Sequence, residues 1–419
     1  MSTPTIAVAL HDGFFSCGTG AARSNRAFLE ILVRFLSAGV RLVVLPVHLT
    51  SESSEYNLTW HQQMHDLVTR AGGEVISLDN GTNGHTRFGN LAAFRRLCAA
   101  GGDAITQEVL PAAGPLLIIA FDCPFYGLAA HLPTEARARL VAVAHSTAAL
   151  HAPDDDARVG WERDGLHAVS AAGGCVAVIS AHMRTHLIDD YRLPAESLSD
   201  LPNGLTATDW QRIAPPDLRL LPSAARSGFL LAMGRAVPYK GFDDLLDALV
   251  VLANAGVRLP HAVIAAVTDD PHPTPYQRHL LTRITTEKVN ATLVNRFDPR
   301  LRSLLIHPAL AAVVVPSRVE PFGLIPLEAF VAGAAPVVAT TAGGLAELVT
   351  EKTGFPARPR NPASLASAIA KALAISPAER ARLRAAGRHL TATRYNYETT
   401  VRGFLQRHAP WALAQAPTG

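Results

Sequence analysis

Five short apolar runs separated by longer amphipathic stretches open the chain: TIAVAL (5–10), RLVVLP (41–46), PLLIIAF (115–121), RLVAVA (139–144) and CVAVIS (175–180). Runs of this length read as strands. Stretches between them such as 26–38 supply helical crossovers, so the pattern predicts a parallel α/β sheet. The rhythm stops over 203–227, where prolines and the loss of periodicity mark a linker or hinge. It restarts with GFLLAM (228–233), HAVIAAV (261–267), ATLVN (291–295), AAVVVP (311–316) and APVVAT (335–340). Two doubly wound, Rossmann-like halves are expected, 1–205 and 206–395. From 361 the chain reads as helices, one opened by Pro377, with a break at RYNYE (394–398) and a last helix reaching about Trp411. The final segment, 396–419, is expected to complete the first half.

Length agrees with two cores, since 419 residues of which 48% are hydrophobic exceed what one core usually holds. Lys and Arg number 38 against 35 Asp and Glu, with no block of like charge, so composition gives no support to a nucleic-acid or membrane partner. Cys17, Cys98, Cys123 and Cys175 lie far apart and form no CxxC, which speaks against a zinc site or a disulfide framework and fits a reducing compartment. The start, MSTPTIAVAL, lacks a basic stretch before a long apolar core, and no run of about 18 apolar residues occurs. A cytoplasmic chain with no membrane span is expected.

Ligands of parallel α/β sheets collect at the carboxyl ends of strands. Two strand ends in the second half carry suitable chemistry. In MGRAVPYKGFDDLLDAL (233–249), Gly234, Arg235 and Lys240 precede a helix start. A guanidinium fork, an ammonium and unpaired backbone N–H groups can together hold a diphosphate; a solvated surface turn is the alternative. In VVVPSRVEPFGLIPLEAFVAGAAPVVATTAGGLAEL (313–348), Glu320 and Glu328 are eight residues apart across a Pro-Phe-Gly turn. If the helix begins near Gly323, both carboxylates can border one ligand lying across its N-terminus. Glu328, in an otherwise apolar helix, needs a hydrogen-bonding duty, met either by ribose hydroxyls or by a polar group of the core. The glycine pair at 343–344 either passes close to the same ligand or turns the chain.

The combination GRx4KG, ExFGLxxLEAxxxG and Gly-Gly at the next strand end resembles the retaining GT-B glycosyltransferases of the GT4 type, also called glycosyl transferase group 1. The likeness runs over almost the whole length, including CVAVISAHMRTHLIDDYRLPAESLSDLPNGL (175–205) and the RYNY break. It implies two Rossmann-like domains facing a central cleft. It also implies that Arg235 and Lys240 clamp the donor diphosphate and that Glu328 holds the ribose. Glu320 would hold the donor sugar, and Gly234, Phe322, Gly323, Leu324 and Gly343 would border the donor. The base would be bordered by 267–270 and 295–297.

In the first half, the resemblance makes the glycine-punctuated turn HDGFFSCGTGAARSN (11–25) the loop that meets donor phosphate and acceptor, through Gly18, Gly20 and Arg23. This loop departs from the usual Gly-Gly form by a threonine between the glycines, and a plain strand-to-helix turn stays open. His145 follows a strand where the family commonly has a histidine near the reacting sugar, and Asp122 at another strand end is placed with the acceptor.

The expected reaction is transfer of a hexose from a UDP- or GDP-sugar to a hydroxyl of a small polar acceptor, with retention by front-face attack. The cationic clamp removes the need for a metal, and DDD at 154–156 reads as a solvated loop. His11, Arg23, His85, Arg87 and Asp122, with the polar loop 79–90, suggest a polar, hydroxylated or phosphorylated acceptor, and the Ala- and Arg-rich composition with HDGFFSCGTG resembles actinobacterial enzymes that decorate secondary metabolites such as aminoglycosides. A pseudo-glycosyltransferase forming a C–N link, a nucleotide-sugar epimerase or a catalytically silent nucleotide-sugar binder are the alternatives. The partners are then small substrates alone, and the chain a monomer or homodimer.

Overall fold

In the computed structural model, which describes residues 2–16, 19–53, 55–82, 90–211, 219, 221–268 and 272–414, the chain divides into two compact units. One is Met1–Asn203 with Tyr397–Gly419, the other Gly204–Asn396. The first contains β1 (Thr3–Leu10), β2 (Arg41–Pro46), β3 (Glu74–Val75), β4 (Ala113–Phe121), β5 (Leu140–Ala144), β6 (Cys175–Val178) and β7 (Leu198–Asp200). They form one parallel sheet in the order β3-β2-β1-β4-β5-β6-β7. The second contains β8 (Phe229–Arg235), β9 (His261–Thr268), β10 (Ala291–Arg296), β11 (Leu310–Val315), β12 (Val337–Thr340) and β13 (Phe355–Ala357). Its parallel sheet has the order β10-β9-β8-β11-β12-β13.

Both sheets are doubly wound, and each has one point at which the strand order reverses: between β1 and β4 in the first, between β8 and β11 in the second. Such a switch point leaves a crevice outside the strand ends. The central strands are apolar throughout because helices cover both faces. Ile6, Ala7, Val8 and Ala9 of β1 are fully buried, as are Val43, Val44 and Leu45 of β2. In the second unit Phe242, Leu245, Leu246 and Leu249 of the helix Phe242–Asn254 pack with Leu365, Ala368, Ile369 and Ala372 of the helix Pro362–Ala374 and with Ile264 and Val314 of the sheet. Each large aliphatic side chain buried this way contributes about 1.5–3 kcal/mol.

Several local expectations shift. The first helix is Gly20–Phe35 and not 26–38, because Thr19 caps it by accepting from Ala22 N–H at 2.9 Å. Asp155 of the acidic triplet is likewise no free surface group. It caps the helix Asp156–Ala171 by accepting from Arg158 N–H at 3.1 Å. Part of 203–227 is folded: Thr206 and Asp209 exchange cap bonds at 2.9–3.2 Å around the helix Ala207–Gln211. No helix among the described residues is long and apolar enough to cross a membrane.

Candidate active site

In the second unit, the turn after β8 and the turn after β11 meet at the switch point. Gly234 and Arg235 end β8, a 3-10 turn Pro238–Lys240 follows, and Gly241 at φ 71° leads into the helix Phe242–Asn254. A side chain at Gly241 would place its Cβ 2.0 Å from the Pro316 carbonyl oxygen, so glycine there permits the two turns to touch. Arg318 N–H donates to the Tyr239 carbonyl at 2.7 Å, and the Arg318 guanidinium grips Asp244 at 2.5 and 2.8 Å.

This contact brings Lys240 to Glu320. The Lys240 ammonium donates to Glu320 Oε2 at 2.5 Å, and the Ser317 hydroxyl reaches the same oxygen at 3.2 Å. Arg235 donates to the Tyr239 hydroxyl at 2.5 Å and ends exposed at the strand tip. Among the described residues no carboxylate pairs with it. The three cations of the two turns are therefore not equivalent, since Arg318 is bound to a carboxylate inside the fold, Lys240 is shared with Glu320, and Arg235 faces solvent.

The helix Leu324–Ala332 begins beside this pair. Gly323 caps it at φ 106°, and Phe322 is buried with its ring 5.6 Å from that of Tyr395. The first-turn N–H groups have no intrahelical acceptor, which makes this end receptive to negative charge. The Gly343–Gly344 turn after β12 closes over it. Gly344 N–H donates to the Glu320 carbonyl at 2.9 Å, and a Cβ on Gly344 would lie 2.6 Å from Phe322 Cα. Gly343 adopts φ 54° to make that turn.

Glu328, 2% exposed, lies one turn further along the helix. Its carboxylate is 3.6 Å from Arg302 Nε, and Arg302 also approaches Asp209 at 3.3 Å. Glu320 and Glu328 are thus each paired with a different cation, one from the β8 turn and one from the 3-10 segment Pro299–Ile306. Of the segments expected near the base, Val267 and Thr268 end β9 and Arg296 ends β10, while 269–271 lie outside the described residues.

In the first unit, three strand ends converge at the other switch point. Asp12 after β1 organises the glycine-punctuated turn, accepting from Gly13 N–H at 2.8 Å, Ser16 at 2.6 Å and Thr19 at 2.5 Å. Gly18 lies outside the described residues, as do His85 and Arg87; Gly20 opens the helix, and Arg23 is half-buried on its first turn. Asp122, directly after β4, has φ 75° and ψ 157°, a region essentially reserved for glycine and costing about 1–3 kcal/mol elsewhere. It is held there by His145 Nδ1, which lies 2.8 Å from Oδ1, and by Asn25, whose amide donates to Oδ2 at 3.0 Å. Burial alone would push the Asp122 carboxyl up; His145, His11 and Asn25 outweigh it and hold the group below the ordinary range. His145 is 7% exposed, and its Nε2 has no hydrogen-bond partner among the described residues.

The loop behind His145 is fixed from three sides. Tyr126 donates to the Ser146 carbonyl at 2.9 Å, Thr147 bonds His186 Nε2 at 2.7 Å, and Ala148 N–H donates to Glu162 at 2.7 Å. Four of the organising residues, Asp12, Asn25, Arg302 and Arg318, escaped the sequence reading. Asn25 carried a usable signal, since an amide within an apolar helix face needs a buried partner.

Residues 221–390 match the model of the family described as glycosyl transferases group 1. A D-inositol 3-phosphate glycosyltransferase of Frankia alni is 32% identical over 244 residues, covering 56% of this chain. The chain spans 59% of that relative's own length. Among solved structures, sucrose-phosphate synthase from Thermosynechococcus elongatus superposes with a TM-score of 0.72 at 20% identity, covering 97% of this chain and 99% of that one. Anabaena HepE, solved in complex with UDP-glucose, gives 0.66 at 18% identity, covering 97% and 99%. At these identities the structural likeness bears on the fold alone.

Proposed function

From the match of residues 221–390 to the glycosyl transferases group 1 and from the GT-B fold, we propose that the chain transfers a hexose from a nucleoside-diphosphate sugar, UDP- or GDP-linked, to a hydroxyl of a small polar acceptor. The observation that carries this reading is the Lys240–Glu320 pair, seated between the β8 turn, the helix start at Gly323 and the Gly343–Gly344 turn. It sets a cation for a diphosphate beside a carboxylate for sugar hydroxyls.

In this reading the donor lies along the strand ends of the second unit. Arg235 and Lys240 take up the charge that develops on the departing diphosphate, helped by the N–H groups of Phe322, Gly323 and Leu324. Glu320 accepts from the sugar hydroxyls. Glu328 turns from Arg302 to the ribose hydroxyls, while Gly234 and Gly343 let the backbone come close. Retention follows if the acceptor oxygen bonds to the anomeric carbon on the face the diphosphate leaves, its proton passing to the departing phosphate oxygen. No metal step is invoked, because the two cations meet the charge.

The first unit takes the acceptor in the same reading. With Asp122 ionised, the proton of His145 sits on Nδ1, and Nε2 is left to accept from a substrate hydroxyl. Arg23 and Asp122 meet a polar or phosphorylated acceptor, Gly18 and Gly20 keep the donor-binding role the resemblance gives them, and a role in secondary metabolism in the cytoplasm, as monomer or homodimer, fits such a substrate.

A thermal-shift screen against UDP, GDP, ADP and dTDP and their glucose and N-acetylglucosamine sugars tests the donor half. A specific ligand at a hundredfold excess over its Kd adds about 2.7 kcal/mol of stability. A shift with one nucleotide, lost in Lys240→Ala and Glu328→Ala, is the expected result. No shift with any of them, or shifts that both variants retain, refutes the transferase reading; a shift without turnover of any sugar leaves a silent binder.

A further inference from the structure

A second cationic site lies on the second unit, built from residues with no part in the donor reading. The helix Pro377–Arg394 carries Arg380, Arg384 and Arg388 at four-residue spacing. They share one face and follow each other at about 6 Å along the axis. All three line one open cavity of about 930 Å³, whose apolar wall includes Ile306, Pro308 and Ile375. Among the described residues none of the three pairs with a carboxylate. The other arginines of the helix do: Arg382 meets Glu379 at 2.6 Å and Arg394 meets Glu347 at 3.8 Å.

Folding alone does not account for such a stripe. Like charges at i and i+4 repel, and a cation near a helix N-terminus opposes its dipole, as Arg380 does at the end of the first turn. Arg384 gains only the last turn of the helix Leu324–Ala332, whose capping Gly333 it covers: a Cβ there would lie 2.6 Å from Arg384 Nε. Arg388 is turned toward the Trp210 ring, 5.9 Å from its centroid.

We propose that this cavity binds a small organic compound bearing two or more phosphate groups. Guanidinium forks match phosphate oxygens in pairs, and three of them over about 12 Å suit separated phosphates better than one. The apolar wall receives the carbon skeleton. Concavity favours a small molecule over a bilayer surface, and the volume falls within the range of small-ligand sites. The site also touches the helix that carries Glu328, through Gly333 at its C-terminal cap, so occupancy is expected to alter nucleotide binding.

Calorimetric titration of the full chain with fructose 1,6-bisphosphate as probe tests the proposal. Saturable binding that weakens with salt is expected, reduced about tenfold or more in Arg384→Ala and in Arg388→Ala. Arg382→Ala and Lys240→Ala should bind as the wild type does. No binding at millimolar probe overturns the proposal, as does binding lost in Lys240→Ala but kept in Arg384→Ala, which would place the probe in the donor site. Sedimentation with phosphatidylglycerol vesicles is the second arm, and arginine-dependent vesicle binding without bisphosphate binding would replace the small ligand by a membrane. Without ligand, Arg384→Ala should melt at or above the wild-type temperature, because a repulsive charge is gone. A lower melting temperature with no response to the probe would make the stripe a structural feature.

Discussion

Neutralising Glu320 is expected to tighten the binding of a nucleoside diphosphate while slowing transfer from its sugar. Lys240 Nζ lies 2.5 Å from Glu320 Oε2, with the two side chains 17% and 13% exposed. Unit charges about 4 Å apart attract by about 4 kcal/mol at the effective dielectric of ~20 that suits such a site. Desolvation and lost side-chain freedom offset most of this, leaving about 1–2 kcal/mol for a partly buried pair. A diphosphate that recruits Lys240 must compete with that interaction. Glu320→Gln removes the competitor, so Kd for the bare nucleotide should fall about tenfold, equivalent to about 1.4 kcal/mol. Turnover should fall about tenfold to a hundredfold, because a charge-assisted bond to the sugar is lost. Calorimetry with the nucleotide that binds, together with an assay of nucleotide release, reads both quantities. In a Lys240→Ala background the gain from Glu320→Gln should shrink by more than half. Unchanged or weaker nucleotide binding in Glu320→Gln refutes the reasoning, and so does a gain that persists in full without Lys240.

Three further outcomes follow from single contacts. Asp122→Gly should be more stable than Asp122→Ala by about 1–2 kcal/mol in chemical denaturation, the reverse of the usual order, because only glycine relaxes at φ 75°. The depressed Asp122 carboxyl contributes stability that is fully present above its ordinary value of 3.8 and is lost as pH falls through the lower folded value. Asp122→Asn should therefore flatten the pH dependence of unfolding below about pH 4, and an unchanged slope would remove the carboxylate from that role. Arg302→Ala removes the cation 3.6 Å from the buried Glu328 carboxylate, a partner that ribose hydroxyls would have to displace, and should leave nucleotide binding at least as tight as in the wild type, whereas Glu328→Ala weakens it, as read by calorimetry.

Much of the fold was legible because central strands of a parallel sheet are apolar on both faces. The ten runs read from the sequence correspond to β1, β2, β4, β5 and β6, and to β8 through β12. The edge strands β3, β7 and β13 were not legible: they have two or three residues each, too few for any periodicity. Helix ends were missed for a related reason, since Thr19 and Asp155 fix them through single side-chain bonds that hydrophobic pattern does not register.

The site was legible as residue types at strand ends and much less so as partners. Glycine spacing located the turns because φ 71° at Gly241 and φ 106° at Gly323 demand that residue. Which acid meets which base is decided by the crossing of loops far apart in sequence: Lys240 and Glu320 are 80 residues apart, Asn25 and Asp122 are 97. That distance matters for how the site works. Each carboxylate expected to meet a ligand is already committed within the fold, Glu320 to Lys240, Glu328 to Arg302 and Asp122 to His145. A charge left alone in so buried a setting would cost several kcal/mol, so a partner within the fold holds each of them. On the proposed function, the phosphates and hydroxyls of a substrate would replace these internal partners one for one, so that each exchange would discriminate against a ligand lacking the matching group.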